Sequence, residues 1–312
     1  MKILVTGAAG FIGSALSIRL LDRGDEVLGI DNHNDYYDPA LKEARLARHI
    51  NHENYSHIRM DIEDGKAVEV LFKEHQFEGV VNLAAQAGVR YSIENPLAYI
   101  NTNMVGFGHI LEGCRHSNVG HLVYASSSSV YGSNTKMPFS IHDNIDHPLS
   151  LYAASKKANE LMAHAYSHLY DLPTTGLRFF TVYGEWGRPD MFIMKFLNAI
   201  FNKNPMILFN RGNHLRDFTY IDDIVDGLVK SSEHNFKAEF FELGKGVNYS
   251  INEVANMFGK DYPREYIHAR KGEYDVTLAD YSKAKLKLGW EPEGDIIQYI
   301  KCLIRNKSTL IL

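Results

Sequence analysis

Short apolar segments rich in β-branched residues alternate, in the first half of the chain, with longer segments that have helical spacing. We predict strands at residues 2–6, 26–30, 55–60, 79–83, 121–125 and 174–180. The segments at 79–83 and 121–125 are apolar without alternation, as expected of strands that are buried on both faces of a sheet. This order predicts an α/β fold, in which helices cover both faces of a doubly wound parallel sheet.

The pattern changes after about residue 180, where glycine, proline and charged residues interrupt it more often. Short strand-like segments such as 206–209 alternate there with helical ones such as 221–232. We therefore predict a first domain of residues 1–180, to which segments from about 215–245 return. Residues 181–312 should mainly form a smaller α/β lobe, and 307–312 resemble a tail.

The composition of the 312-residue chain excludes several classes of protein. Its 33 lysines and arginines stand against 38 aspartates and glutamates, a net charge of −5, so no positive excess is available for a nucleic-acid backbone. Cys114 and Cys302 cannot build a disulfide framework. The amino-terminal apolar segment is too short for a signal peptide, and no later one reaches the roughly 18 residues of a membrane span. We expect a cytoplasmic protein without nucleic-acid or membrane partners.

A glycine-rich turn follows the first predicted strand, with Gly7, Gly10 and Gly13 three residues apart. Such a turn lets a pyrophosphate approach the amide groups at a helix amino terminus, although a tight connection alone has the same appearance. Asp31 ends the second strand, where a carboxylate can accept hydrogen bonds from a ribose. The next residues, Asn32 and His33, offer no arginine or lysine for a 2′-phosphate. These features predict a Rossmann fold that binds NAD rather than NADP.

The spacing of these glycines resembles that of the extended short-chain dehydrogenases/reductases, which also carry a Tyr-x-x-x-Lys pair. Tyr152 and Lys156 supply that pair, and residues four apart lie on one helix face. The lysine ammonium and a positive nicotinamide ring could lower the pKa of the tyrosine, which is otherwise about 10. Four serines, 126–129, follow the fifth strand and could hold a substrate hydroxyl there.

Longer segments resemble UDP-glucuronate 4-epimerases within this superfamily. They are residues 31–37, 41–46, 84–92, 178–184, 186–191 and 216–223, and the similarity weakens after about residue 250. Glu273 stands where that family typically has aspartate. The resemblance implies an NAD-dependent enzyme that interconverts UDP-glucuronate and UDP-galacturonate through a transient 4-keto sugar, with tightly bound NAD regenerated in each turnover. It also implies that the smaller lobe binds the UDP-sugar.

The resemblance assigns roles to individual residues. Tyr152 would be the acid and base, Lys156 its partner, and Ser127 the hydroxyl that hydrogen bonds the reacting alcohol. The implied cofactor contacts are Gly7, Gly10, Phe11, Ile12, Gly13, Asp31, Asn32, Asp61, Ile62, Leu83, Ala84, Ala85, Asn103, Tyr152 and Lys156. The implied substrate contacts are Arg90, Ser127, Ser128, Ser129, Tyr152, Thr181, Arg188, Arg216 and Arg270.

The substrate's carboxylate raises a chemical problem, because a 4-keto uronate is a β-keto acid that tends to lose carbon dioxide. By resemblance, Ser129, Thr181 and Arg188 would hold the carboxylate away from the alignment that favours this loss. Arg216 and Arg270 would hold the diphosphate, and Arg90 would lie near the phosphates or the carboxylate.

Several alternatives remain at this point. The chain could be a 4-epimerase of a neutral or N-acetylated UDP-sugar, a UDP-uronate decarboxylase, or a non-catalytic protein that only binds NAD. His164 and His168 have the spacing of one helix face, but no third ligand accompanies them, so we predict no metal site. Relatives dimerise through helices near residues 95–117 and 152–170, which predicts a homodimer.

Overall fold

The computed structural model describes residues 1–269 and 272–305. The strands are β1 (Lys2–Thr6), β2 (Glu26–Asp31), β3 (Tyr55–Arg59), β4 (Gly79–Asn82), β5 (His121–Ser127), β6 (Thr174–Phe179), β7 (Thr181–Tyr183), β8 (Met206–Phe209), β9 (Leu215–Tyr220), β10 (Ala238–Leu243), β11 (Asn248–Ser250) and β12 (Arg264–Ile267). The α-helices are α1 (Phe11–Asp22), α2 (Pro39–Ala47), α3 (Gly65–Glu74), α4 (Tyr91–Glu94), α5 (Pro96–Ala98), α6 (Phe107–His116), α7 (Leu151–Tyr170), α8 (Phe192–Phe201), α9 (Ile221–Ser232), α10 (Ile251–Phe258), α11 (Ser282–Leu288) and α12 (Ile296–Arg305). A π-helix (Tyr99–Gly106) precedes α6, and single 3₁₀ turns occupy Ser128–Tyr131 and Asn210–Gly212.

Seven parallel strands form the main sheet, in the order β10-β6-β5-β4-β1-β2-β3. The doubly wound α/β fold expected from the alternation of apolar and helical segments is confirmed. The six predicted strands are β1 to β6, with ends that differ by one or two residues: β5 continues to Ser127, and β3 already ends at Arg59. Because all strands run in the same direction, their carboxyl ends meet at one edge, where open α/β sheets bind ligands.

Apolar side chains fill both faces of this sheet. On one face, α1, α9 and α11 pack through residues such as Leu16, Ile224 and Leu288. On the other face, α3, α6 and α7 contribute residues such as Leu71 and Ile110. The strands between them carry Val and Leu on both sides, which explains why their sequences lack alternation.

A smaller lobe follows β6. Helices α8, α10 and α12 surround a core of aromatic and aliphatic side chains, beside the parallel pair β8 and β12. A three-stranded sheet, β11-β9-β7, joins this lobe to the main sheet, because a single residue separates the end of β6 from the start of β7.

Parts of the chain after residue 180 return to the main sheet. Helix α9 packs against α1 and strand β10 pairs with β6, and both elements lie within the predicted return at 215–245. Strand β9 instead lies in the small sheet. Helix α11 and the buried Trp290 also join the core of the main sheet, outside the predicted return. Residues 307–312, predicted as a tail, lie outside the described residues.

The described residues contain neither a candidate membrane span nor a candidate metal cluster. None of the helices there has the length and apolar character needed to cross a membrane. Among the same residues, no group of three or more His, Cys, Asp or Glu side chains is arranged to hold a metal ion.

Candidate active site

The carboxyl ends of the central strands open onto a cavity of about 690 Å³, a size typical of small-molecule sites. Its lining includes these residues of the sequence prediction: Gly7, Gly10, Phe11, Ile12, Gly13, Asp31, Asn32, Asp61, Ile62, Leu83, Ala84, Ala85, Arg90, Ser127, Ser128, Ser129, Tyr152, Lys156, Thr181, Arg188 and Arg216. Asn103 is not part of this lining, and Arg270 lies outside the described residues. The structure thus brings nearly the whole predicted set together.

The glycine-rich turn packs too closely for side chains. Gly7 has φ +70°, and a Cβ there would lie 2.9 Å from the Ala84 nitrogen. A Cβ on Gly13 would lie 2.1 Å from the Gly7 carbonyl oxygen. Gly10 precedes α1 as its N-cap and has no side chain to cap it, so the first amides of this helix are open to a ligand. The turn therefore provides a cradle for an anionic group.

Asp31 lies at the end of β2 with its carboxylate buried among donors. It accepts hydrogen bonds from the backbone amides of Ala9 at 3.2 Å and His33 at 2.8 Å. Lys42 Nζ, from α2, lies 3.3 Å from Asp31 Oδ1 and 3.0 Å from Asn34 Oδ1. The cavity lining therefore holds an ammonium group beside the carboxylate at this point.

The start of α7 places the tyrosine and lysine pair. The Ser150 side chain accepts a hydrogen bond from the Ala153 amide at 3.1 Å, which caps the helix and puts Tyr152 in its first turn. Lys156 follows one turn later, and its Nζ donates to the Ala125 carbonyl oxygen of β5 at 2.8 Å. This contact fixes the lysine at the end of the strand that carries Ser127.

Burial governs the pKa values of both groups. It lowers the pKa of Lys156 to about 8, while Glu160 acts in the opposite direction. Burial also raises the pKa of Tyr152, and a hydrogen bond with Ser127 and the positive charge of Arg188 act to lower it. Ser127 and Arg188 therefore favour the phenolate that a basic tyrosine requires.

A buried ion pair forms one helical turn beyond Lys156 on α7. Arg178 of β6 donates from Nε and Nη2 to both carboxylate oxygens of Glu160, each at 2.8 Å. Ser126 Oγ donates to the same carboxylate at 2.6 Å. Because Glu160 is on α7 and Ser126 on β5, these contacts hold the helix against two strands and limit the movement of Tyr152.

Asn103 lies in the π-helix, outside the lining of the cavity. Its Nδ2 donates to the Gln86 carbonyl at 3.0 Å and to Ser155 Oγ at 2.9 Å, and its Oδ1 accepts from the Gln86 amide at 2.8 Å. The side chain therefore connects the loop after β4 to helix α7. In the structure this amide contacts protein groups, and the contact with the cofactor that the sequence resemblance implied stays a prediction.

The described arginines of the prediction have different surroundings. Arg188 forms an ion pair with Asp190, in which Nε lies 3.0 Å and Nη2 2.5 Å from the two carboxylate oxygens. Arg216 Nη1 donates to the Leu215 carbonyl at 3.0 Å. The Arg90 side chain is 63% exposed and pairs with Glu94 at 2.9 Å, at the mouth of the cavity.

Comparisons with known proteins agree with this geometry. The model of the NAD dependent epimerase/dehydratase family matches residues 3–244. The chain belongs to this family. Protein CapI of Staphylococcus aureus is 48% identical over 95% of both chains. A UDP-glucuronate 4-epimerase of Thermodesulfobacterium geofontis is 43% identical over 96% of this chain and 93% of its own. The crystal structure of UDP-glucuronic acid 4-epimerase from Bacillus cereus in complex with UDP-glucuronic acid and NAD is 32% identical, with a TM-score of 0.92 over 100% of both chains.

The resemblance to UDP-glucuronate 4-epimerases is thereby confirmed. The geometry of the site also matches the shape and charge of NAD. The uncapped amides of α1 and the space that glycine leaves at positions 7 and 13 match a pyrophosphate. Asp31 and Lys42 offer an acceptor and a donor for ribose hydroxyls. The residues present in this epimerase/dehydratase family member therefore fit NAD.

Sequence reasoning missed several residues that line the same cavity. They include Tyr36, Lys42, Gln86, Asp190 and Tyr274, and Tyr274 donates its hydroxyl hydrogen to the Ser129 carbonyl at 2.8 Å. Four of them stand in the segments that resemble UDP-glucuronate 4-epimerases, but they were given no role. Asp190 alone had a spacing that indicated its partner, since an acid two residues after Arg188 can pair with it. The others arrive from loops and helices whose approach no local pattern indicated.

Proposed function

We propose that this family member is a UDP-glucuronate 4-epimerase. The observation that carries the proposal is the meeting of Tyr152, Ser127 and Lys156 with Arg188 in one cavity. The first three side chains are suited to moving a proton at a sugar hydroxyl, and the fourth is suited to a carboxylate. The similarity to UDP-glucuronate 4-epimerases along nearly the whole chain supports the same assignment.

In the proposed reaction, Tyr152 takes the proton from the hydroxyl on sugar carbon 4, which Ser127 holds by a hydrogen bond. Gly7, Gly10 and Gly13 would hold the pyrophosphate of NAD, which would supply the oxidation and the later reduction at that carbon when bound. The charge of Arg188 stabilises the phenolate, and Lys156, one helical turn from Tyr152 on α7, is proposed to act in the same direction. After the flat 4-keto sugar has turned in the cavity, Tyr152 returns the proton to the new alkoxide on the other face. The reaction is redox-neutral overall.

The remaining predicted residues are proposed to orient the UDP-sugar. Arg188, Ser129 and Thr181 would hold the carboxylate, and Arg216 the diphosphate, together with Arg270. Holding the carboxylate keeps the bond to carbon 6 out of line with the ketone and so restrains decarboxylation. We also propose that residues 1–180 with their returning segments serve NAD, and that residues 181–312 mainly serve the UDP-sugar.

Product analysis tests the proposal. Purified protein is incubated with UDP-glucuronate, UDP-glucose or UDP-N-acetylglucosamine, and the products are resolved by chromatography. We expect UDP-galacturonate from the first substrate, and little turnover of the neutral sugars because they cannot use the charge of Arg188. Absence of UDP-galacturonate would refute the proposal, and a UDP-pentose as the main product would identify a decarboxylase instead.

We further propose a cytoplasmic homodimer. Both Cys114 and Cys302 are free thiols, in keeping with a reducing compartment. Apolar side chains on α5, the π-helix and α7 are exposed in the single chain, among them Leu97, Val105 and Leu161. An exposed apolar face of this kind is a typical subunit contact.

A further inference from the structure

The Arg188 guanidinium is held by two side chains outside the catalytic pair. Asp190 occupies its Nε and Nη2 positions as described above. Tyr36 donates its hydroxyl hydrogen to Asp190 Oδ2 at 3.3 Å, and its ring centroid lies 5.9 Å from the Arg188 Cζ atom. Burial, together with Asp190, raises the pKa of Tyr36 to about 12, so the hydroxyl remains a donor.

This arrangement leaves one defined edge of the guanidinium for a ligand. A planar guanidinium can bind one carboxylate through Nε and Nη2 and a second through its two terminal nitrogens. Since Asp190 takes the first edge, the second edge, which includes Nη1, is the one available to a planar anion in the cavity. Asp190 sets the direction of that edge, because contacts from both Nε and Nη2 to one carboxylate fix the orientation of the guanidinium.

Tyr36 is itself confined by the loops around it. Its ring packs at 5.1 Å from the Tyr91 ring, and a Cβ on Gly88 would lie only 2.6 Å from its hydroxyl oxygen. Tyr36 lies in the loop that begins after Asp31, and the His33 amide of the same loop donates a hydrogen bond to the Asp31 carboxylate. The tyrosine therefore has little freedom to release Asp190.

We propose that Asp190 and Tyr36 are positioning residues that orient Arg188 toward the substrate carboxylate and thereby set the ratio of epimerisation to decarboxylation. The inference rests on the proposed function. It concerns the residues behind the arginine and not the arginine's own contact with substrate.

The chemistry explains why orientation should appear in the products. Loss of carbon dioxide breaks the bond between carbons 5 and 6, and its electron pair moves into the 4-keto group as an enolate that then takes up one proton. This requires the breaking bond to stand parallel to the π orbitals of the ketone. A fixed arginine holds the carboxylate away from that alignment, whereas a loosened one allows it. The by-product is carbon dioxide with a UDP-4-keto-pentose, or a UDP-pentose once carbon 4 is reduced again.

The test compares Asp190→Asn and Tyr36→Phe with the unmodified enzyme. For Asp190→Asn we expect the ratio of pentose to galacturonate products to rise roughly 10- to 100-fold, the factor expected for loss of one charge-assisted contact. The KM for UDP-glucuronate should rise while the affinity for UDP, measured by calorimetry, stays the same. Tyr36→Phe should change the product ratio in the same direction by a smaller factor.

Tyr220→Phe is a matched control. Tyr220 makes a similar hydrogen bond, to Glu185 Oε2 at 2.7 Å, near the same loop but outside the cavity lining. It should leave the product ratio unchanged. If Asp190→Asn fails to fold, Asp190→Glu, which keeps the charge on a longer arm, takes its place with an intermediate ratio expected.

The outcomes separate two failures. If the unmodified enzyme forms no UDP-galacturonate, both the proposed function and this inference are wrong. If it forms UDP-galacturonate but the Asp190 and Tyr36 variants keep its product ratio and KM, only the positioning role is wrong. A change in Tyr220→Phe equal to that in Tyr36→Phe also overturns it.

Discussion

Tyr152 illustrates how an active-site residue depends on its surroundings. Burial alone raises its pKa and so opposes the phenolate. The Ser127 hydroxyl and the charge of Arg188 act against this effect, and the ammonium of Lys156 lies one helical turn away at the end of β5. A tyrosine in the same cavity without these neighbours would be a poor base at neutral pH.

Replacement of the tyrosine tests whether the protein is a catalyst or only a binder of NAD. Tyr152→Phe removes the proton-transferring hydroxyl and keeps the ring. We expect UDP-galacturonate formation to fall by roughly 10²- to 10⁴-fold, the usual contribution of a positioned acid or base. The NAD content of the purified variant, measured after unfolding, should match that of the unmodified protein. Unchanged turnover would show that Tyr152 does not have the acid and base role.

Lys156 provides a prediction about pH. Its pKa is lowered from 10.5 to about 8, so between these values the unfolded chain holds a proton that the folded chain has released. Stability must therefore rise with pH across this interval. Relative to Lys156→Met, the free energy of unfolding of the cofactor-free protein should increase by about 2 kcal/mol between pH 7.5 and 9.5, measured by urea denaturation. A difference that stays constant with pH would show that the lysine is not desolvated.

The residues that the sequence indicated and those that it missed differ in a physical way. The glycine turn, Asp31 and the Tyr152 pair are defined by short spacings within single elements, so the sequence alone located them. Lys42 and Tyr36 reach the cavity through tertiary packing of α2 and the loop after β2. No spacing relates either residue to the groups that it contacts.

At the scale of elements, the π-helix shows how a backbone irregularity serves the site. The wider turn between Tyr99 and Gly106 precedes α6 and contains Asn103. Extra residues in a helix re-aim side chains, and they often occur near functional sites. Here the result is one amide that joins the loop after β4 to α7, the helix that carries Tyr152 and Lys156.

Asn103→Ala tests this connection. The substitution leaves the buried amide and carbonyl of Gln86 without their partner, so we expect a loss of about 2–4 kcal/mol in the free energy of unfolding. The loss in the free energy of unfolding should be the same with and without NAD. If Asn103 mainly contacted the cofactor, the variant would be less stable only when NAD is bound. Asn198→Ala, at an exposed helical asparagine, should change stability by no more than about 0.5 kcal/mol.

The strands of the main sheet were predictable because burial on both faces forces apolar, β-branched sequences. The elements that return to this sheet late in the chain were harder to assign. Helix α11 is short and rich in lysine, and its attachment depends on Ala284, Leu288 and the nearby Trp290. Such a segment has the local pattern of a surface helix, and only the fold shows which core it joins.

At the scale of the whole molecule, the continuity of β6 and β7 creates the cavity. The chain leaves the main sheet at Phe179 and enters the small sheet at Thr181, and both residues line the cavity. Arg188 follows β7, and Arg216 lies on β9 in the same small sheet. Two arginines thus line the cavity at the junction of the lobes in a chain with a net charge of −5, and Asp190 pairs with the first of them.

The proposed dimer is the prediction that concerns the molecule as a whole. Leu161 and Leu169 of α7 are 61% and 64% exposed in the single chain, and α7 packs against the π-helix that carries the exposed Val105. Burying these side chains in a subunit contact would stabilise the dimer by roughly 1.5–3 kcal/mol for each one fully buried. The double variant Leu161→Lys/Leu169→Lys places charges in that contact and should sediment as a monomer at concentrations where the unmodified protein is a dimer. Leu286→Lys, at a side chain that is 85% exposed on α11, should leave the dimer intact. A monomeric unmodified protein, or a dimer that survives both charges on α7, would show that this face is not the subunit contact.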